Sequence, residues 1–332
     1  MQQKNSTIED AFVPRRGLRG AHAQTLAGNF LPRTNRLTAP EERLFKLEDG
    51  AQVLCHCHWQ PGSKRNAALT LIIVHGLEGS SASQYVIGTS NKAFAAGMNV
   101  VRMNMRNCGG TEQLCQTLYH SGMSADVGTV AKALIREDGL ARIALAGFSM
   151  GGNLVLKLAG EWGRDGAAPR ELVAVAGISP AMDLGISSDA LHLPENRLYE
   201  WKFLWGLRQR MMRKARLFPE RFAKPPWFWR SLREFDDKVT APYSGFSGAD
   251  DYYARASSAR VVEHIRVPTL IIQANDDPFI KISSETRAKI LVNPNVTYLE
   301  TERGGHCAFL AAPNGYDGRW AERTIIEFVR RF

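Results

Sequence analysis

Residues 142–152 read R-I-A-L-A-G-F-S-M-G-G, and the helical spacing of Leu154, Leu158 and Trp162 follows at once. A short apolar run, then glycines around a serine, then a helix place this G-x-S-x-G sequence on a strand-to-helix turn, the context the motif requires. A serine held on so sharp a turn has strained backbone angles, and the residues two positions to either side of it crowd each other. Gly147 and Gly151 relieve that crowding. Ser149 also falls at the N-terminus of the following helix, where free N–H groups and the helix dipole favour developing negative charge. The motif alone arises by chance in glycine-rich loops, so its surroundings have to carry the reading.

Outward from this stretch, short continuous apolar runs recur at 69–74, 99–103, 143–146, 173–176, 269–272 and 296–299. Runs of that kind suit strands buried on both faces. Stretches with helical spacing lie between most of them, and Ile325, Phe328 and Val329 continue the pattern near the end. The expected class is therefore α/β, with a mostly parallel central sheet covered by helices. Two β-rich segments at 43–47 and 52–59, joined by Asp49-Gly50, predict an antiparallel hairpin opening the sheet. Residues 1–42, rich in Arg, Pro and Gly, read as an arm packed on the core with room for one short helix. Residues 182–266 offer helical patterns and no convincing buried strand, so they read as a helical cap inserted between core strands. The core is then 43–181 and 267–332, one domain with an insertion.

A serine hydroxyl is a poor nucleophile at neutral pH; an imidazole must take its proton and a carboxylate must hold that imidazole in the right tautomer. After the run ending at Ile272 comes Q-A-N-D-D-P-F, with Asp276 and Asp277 just past a strand's carboxyl end, where open α/β sheets gather functional groups. Asp277 is the choice, because a residue before proline is held extended; Asp276 stays open as the alternative. After the next run, T-E-R-G-G-H-C presents His306 on a glycine-rich loop. A lone histidine is more often structural, and the seven others illustrate this; His306 alone has the right place. The buried run before His75-Gly76-Leu77-Glu78-Gly79 puts a second glycine-containing turn at a strand end. Leu77 and Met150 are the expected N–H donors to a developing oxyanion, with His75 and Gly76 supporting the loop.

Composition narrows the alternatives. With 44% hydrophobic and 23% charged residues the 332-residue chain is an ordinary globular protein rather than a disordered one. No apolar run approaches a membrane span, and the polar start lacks a signal-peptide stretch. Five cysteines scattered through a long chain fit a reducing cytoplasm. Cys55-His56-Cys57-His58 looks like a set of zinc ligands, yet side chains alternate along a strand, so the four do not converge on one ion, and no metal is expected. The net charge of +9 mostly speaks to solubility and weak attraction for anionic surfaces, and within the cap segment Trp201, Trp205, Trp227 and Trp229 interleave with Arg and Lys. The favoured reading is a cap helix whose stripe of Trp201, Leu204, Trp205, Met211 and Met212 covers the site while the basic residues stay solvated. Peripheral contact with an anionic membrane surface is the second reading. Nucleic-acid binding, with no recognisable module, ranks last, and no nucleic-acid partner is expected.

At these residues the chain resembles the YheT-like branch of the α/β-hydrolase superfamily, described as carboxylesterases or acyltransferases, over nearly its whole length. Particular likenesses are A-H-A-Q-T-L from Ala21, R-N-C-G-G-T from Arg106, Y-H-S-G from Tyr119, F-D-D-K-V-T-A-P from Phe235 and D-Y-Y-A from Asp251. C-H-C-H-W from Cys55 departs from what the resemblance leads one to expect. The resemblance implies the α/β-hydrolase fold, a triad of Ser149, Asp277 and His306, and activity on acyl esters; small-molecule esters, short- to medium-chain or lipid-like, are the expected substrates. Such chemistry needs no metal or organic cofactor. An alcohol or thiol acceptor would make the same site an acyltransferase, and a thioester substrate would make it a thioesterase. A ligand-binding protein that kept the fold and lost catalysis would show a replaced triad position, and all three are filled here.

Overall fold

A computed structural model describes residues 11–62 and 64–332, so the first ten residues of the expected arm lie outside the described residues. The strands are β1 (Glu41–Lys46), β2 (Gln52–His58), β3 (Thr70–Val74), β4 (Asn99–Met103), β5 (Ile143–Phe148), β6 (Leu172–Ile178), β7 (Thr269–Ala274) and β8 (Val296–Thr301). They form one sheet in the order β1-β2-β4-β3-β5-β6-β7-β8. β2 is antiparallel to β1 and β4, and every later pairing is parallel. The expected hairpin is present: Gly50 turns with φ +83°, and Leu47 N–H donates to Ala51 O at 2.8 Å.

Helices α1 (Ala21–Phe30) and α2 (Lys64–Ala67) precede β3, while α3 (Gln84–Ala95), α4 (Ser124–Asp138) and α5 (Met150–Asp165) make the next crossovers. Between β6 and β7 come α6 (Leu184–Leu191), α7 (Arg197–Leu217), α8 (Leu232–Phe235), α9 (Ala241–Ser244) and α10 (Ala249–Ala256). α11 (Ser284–Val292) joins β7 to β8, and α12 (Trp320–Val329) follows β8. Alternation along each central strand feeds two cores. Ile72 and Val74 face α4 and α5, whereas Leu71 and Ile73 face α3 and α12. With both faces covered, the central strands need apolar residues throughout, the continuous runs visible in the sequence.

Two expectations differ from the structure. β8 is half-buried at all six positions instead of fully buried, because it is the sheet's edge and pairs with β7 alone. The apolar stripe read along α7 splits in two. Leu204, Leu207 and Met211 pack inward against Phe222, Trp229 and Phe235, while Trp201 and Trp205 are 58% and 59% exposed. Nor do all the basic residues stay solvated. Arg210 is buried against Glu78, and Lys214 is buried with its ammonium on Asn107 Oδ1, Glu112 O and Cys115 O. A buried cation is tolerable when oxygens replace its water.

The sequence C-H-C-H divides between the faces of β2. Cys55 and Cys57 enter the core beside α4 and α5; His56 meets Ser81 Oγ at 3.1 Å, and His58 meets Arg102 at 3.1 Å. Pro14 bridges to Ala311, and Gln24 of α1 donates to Leu310 O while accepting from Leu310 N–H. The described part of the arm thus touches the segment that follows β8.

Candidate active site

β5 ends at Phe148, and Ser149 takes φ +54° and ψ −118° before α5 begins. A β-carbon on Gly147 would collide with the Gly151 carbonyl, and one on Gly151 with the carbonyls of Val74 and His75. That is the physical demand behind the two glycines of the motif. Ser149 N–H donates to Ile178 O at 2.9 Å, which ties the turn to the end of β6.

Asp277 follows β7 and is fully buried. Its Oδ1 accepts from Phe279 and Ile280 N–H at 3.2 and 2.9 Å, and its Oδ2 lies 2.8 Å from His306 Nδ1. The structure pairs His306 with Asp277, whereas Asp276 accepts from Gly305 N–H at 2.9 Å and steadies the histidine loop. Burial raises the Asp276 carboxyl above its usual range, against the Gly305 hydrogen bond that lowers it. Burial pulls the His306 imidazole down, but Cys307 and the Asp277 carboxylate outweigh it and hold the imidazole up, to about 10.

Ser149 and His306 line one cavity of about 880 Å³, together with Gly76, Leu77 and Cys307. Among the described residues no hydrogen bond joins the Ser149 hydroxyl to the imidazole; His306 Nε2 lies 3.7 Å from Cys307 Sγ. Cys307 adopts φ +57°, with its N–H donating to Ser179 Oγ at 3.0 Å and its thiol 3.6 Å from Ile178 O. The Ile178 carbonyl therefore touches both the serine turn and the histidine loop. Positive φ at Glu78, Ser149, Ser179 and Cys307 concentrates backbone strain at the carboxyl ends of neighbouring strands.

Leu77 and Met150 share a second cavity with Ser149, about 100 Å³ and lined by Leu184, Leu191, Phe203, Leu207 and Ile280. Among the described residues neither N–H has a protein acceptor. His75 is buried with both ring nitrogens engaged: Nδ1 lies 2.8 Å from Gly76 O, and Nε2 accepts from Met105 N–H at 3.1 Å. Burial lowers it to about 4, so the neutral ring donates from Nδ1 at neutral pH. Gly76 N–H donates in turn to Tyr85 OH at 2.9 Å.

Several contributors escaped the sequence reading. Thr25 Oγ1 accepts from His306 N–H at 2.9 Å. Glu78 Oε1 accepts from Tyr119 OH at 2.6 Å and from Arg210 Nε at 3.0 Å, joining the loop of Leu77 to α7. Asn153 bonds Ser121 O, Ala256 O and Ser258 N–H. Thr25 and Tyr119 fall within stretches whose family likeness flagged them without giving them a role.

A family model for the alpha/beta hydrolase fold matches residues 70–313, the span that carries this whole arrangement apart from α1. The chain belongs to the α/β-hydrolase family. Within it, the chain is similar to the Escherichia coli protein YheT, provisionally named an esterase, with 31% identity over 97% of this chain and 93% of that one. This places it in the YheT-like branch. Phospholipase ABHD3 of Homo sapiens is 25% identical across 99% of this chain and 81% of its own length. Medium-chain fatty acid ethyl ester synthase/esterase 2 of Saccharomyces cerevisiae is 27% identical over 79% of this chain and 62% of its own. An esterase structure from Pyrococcus furiosus superposes with a TM-score of 0.58 at 16% identity, covering 88% of this chain and 92% of that one, a likeness of fold.

Among the described residues no helix is long and apolar enough to cross a membrane, and no group of three or more His, Cys, Asp or Glu side chains could hold a metal ion.

Proposed function

We propose that this chain is a serine esterase that cleaves carboxylic esters through an acyl-serine intermediate. Ser149 Oγ attacks the ester carbonyl, His306 Nε2 takes its proton and then delivers it to the departing alkoxide. Asp277 keeps the Nδ1 proton in place and supports the imidazolium. The N–H groups of Leu77 and Met150 hold the oxyanion. Water then attacks the acyl group, with His306 serving as base a second time, and Ser149 is released. The observation that carries this reading is that His306, held by the fully buried Asp277 at 2.8 Å, lines the same cavity as Ser149. Catalytic hydrogen bonds tighten when substrate arrives, so the serine–imidazole contact belongs to the substrate complex.

In this reading residues 182–266 act as a cap. The smaller, apolar cavity beneath α6 and α7 takes a short- to medium-chain acyl group, and the larger one takes the alcohol portion. Five free thiols suit a reducing cytoplasm. Labelling by a fluorophosphonate probe tests the assignment: the native chain should react, while Ser149→Ala and His306→Ala should not. Undiminished labelling of Ser149→Ala would place the nucleophile elsewhere.

A second reading, transfer of the acyl group to an alcohol, is favoured by the yeast relative whose name joins ester synthesis to ester cleavage. Nitrophenyl esters of increasing chain length, turned over with and without ethanol, separate the two. Ethyl ester formed faster than free acid marks a transferase.

A further inference from the structure

α7 has two apolar faces. The inner one is covered by the cap's own core, but Leu198, Trp201 and Trp205, at helical spacing on the outer one, are 75%, 58% and 59% exposed. Neighbouring elements extend this outer face. Arg208 spans from the Trp205 ring, 5.9 Å away, to the Trp227 ring at 4.9 Å, and Trp227 and Phe228 are 78% and 68% exposed. On the other side Lys202 lies over the ring of Phe30, 5.6 Å from its centre, and both Phe30 and Leu26 of α1 are exposed. Leu26, Phe30, Leu198 and Trp205 also line the cavity that holds Ser149 and His306. The exposed apolar ring therefore borders the mouth of the site through these four side chains.

Its charge names the occupant. Residues 197–230 hold ten basic and two acidic residues, and Lys202, Arg213, Arg216, Arg221, Lys224 and Arg230 are exposed. Tryptophan and phenylalanine set among Lys and Arg suit the boundary between lipid headgroups and acyl chains, and the basic side chains suit anionic headgroups. A second copy would present the same basic excess, so self-association through this face sets like charges against each other. Duplex or single-stranded nucleic acid would match the charge but leaves the aliphatic Leu26 and Leu198 without a partner.

The geometry points to peripheral docking on an anionic lipid bilayer through this ring, with the mouth of the cavity turned toward the lipid. The inference goes beyond the esterase reading and does not require it. Co-sedimentation with vesicles of equal parts phosphatidylglycerol and phosphatidylcholine tests it. Binding should exceed that to pure phosphatidylcholine by at least about tenfold and should weaken as salt shortens the range of charge interactions. Trp201→Ser combined with Trp227→Ser and Phe228→Ser should lower it by about tenfold or more, with circular dichroism and the thermal midpoint showing the variant folded. Ser149→Ala should bind vesicles like the native chain, so loss of catalysis and loss of docking are read separately. Native protein left in the supernatant would overturn the inference. So would a folded triple variant that binds undiminished, or a dimer in the ultracentrifuge that these substitutions dissolve. Retention on a single-stranded oligonucleotide without retention on vesicles would overturn it too.

Discussion

The amide of His306 donates to the hydroxyl of Thr25 at 2.9 Å, so a loop after the last strand hangs on a helix that precedes the first. This contact fixes the backbone from which the imidazole projects, while Asp277 fixes the ring.

Thr25→Val removes the acceptor at nearly constant volume. A proposed base displaced by a fraction of an ångström should cost roughly tenfold to a hundredfold in kcat/KM. The thermal midpoint should move by only a few degrees, since one hydrogen bond is worth about 1 kcal/mol. Steady-state kinetics on a nitrophenyl ester checks this, and unchanged kcat/KM would detach Thr25 from catalysis.

Cys307 and Asp277 both hold His306 above its ordinary value, against burial. A base works only when neutral, so kcat/KM should rise with pH along a limb on the alkaline side of an ordinary histidine. Cys307→Ala removes one of the two influences that raise the imidazole, and the limb should move to lower pH. A pH profile of kcat/KM for both proteins decides it; a limb that stays put, or moves upward, contradicts the role given to the thiol.

Gly151→Ala sets a methyl group against the carbonyls of Val74 and His75, which are backbone and cannot swing aside. Unfolding free energy should fall by about 3 kcal/mol or more. Urea denaturation measures the loss. Gly166→Ala offers the contrast, since nothing lies near its added carbon and only its φ of +64° is strained; its cost should stay near 1 kcal/mol.

Lys214 is buried with three oxygen partners, and burial lowers its pKa to about 8. Lys214→Met leaves those oxygens without a donor and should destabilise the fold by about 2–4 kcal/mol. For the native chain the sign runs the other way from a surface lysine. Between about 8 and the unfolded value of 10.5 the unfolded chain binds the extra proton, so this group's contribution to stability rises with pH. Melts of both proteins across that window should diverge in slope.

The sheet was readable because buried parallel strands leave little room for anything but apolar residues, as in Leu71, Ile72, Ile73 and Val74. Ser149 was readable because its turn demands glycines at fixed offsets. The places of Asp277 and His306 after strands are legible in the sequence, whereas the 2.8 Å contact between them emerges only from the fold. Thr25, Glu78 and Arg210 left no comparable trace. Each acts through one distant partner, and nothing in the local pattern distinguishes such a residue from a surface polar group. The division of α7 into inner and outer faces was lost for a related reason. Trp201 and Leu204 are both apolar, and the distant partners that bury Leu204, Arg210 and Lys214 reveal which side turns inward.

The clasp between α1 and the histidine loop also bears on how the chain comes to life on the ribosome. Thr25 is made 281 residues before His306. At about 5–20 residues per second it waits roughly 15–60 s for the partner it is to hold. Throughout that interval Leu26 and Phe30 travel with a nascent chain that does not yet hold the histidine loop, and the clasp closes only after residue 306 has been made.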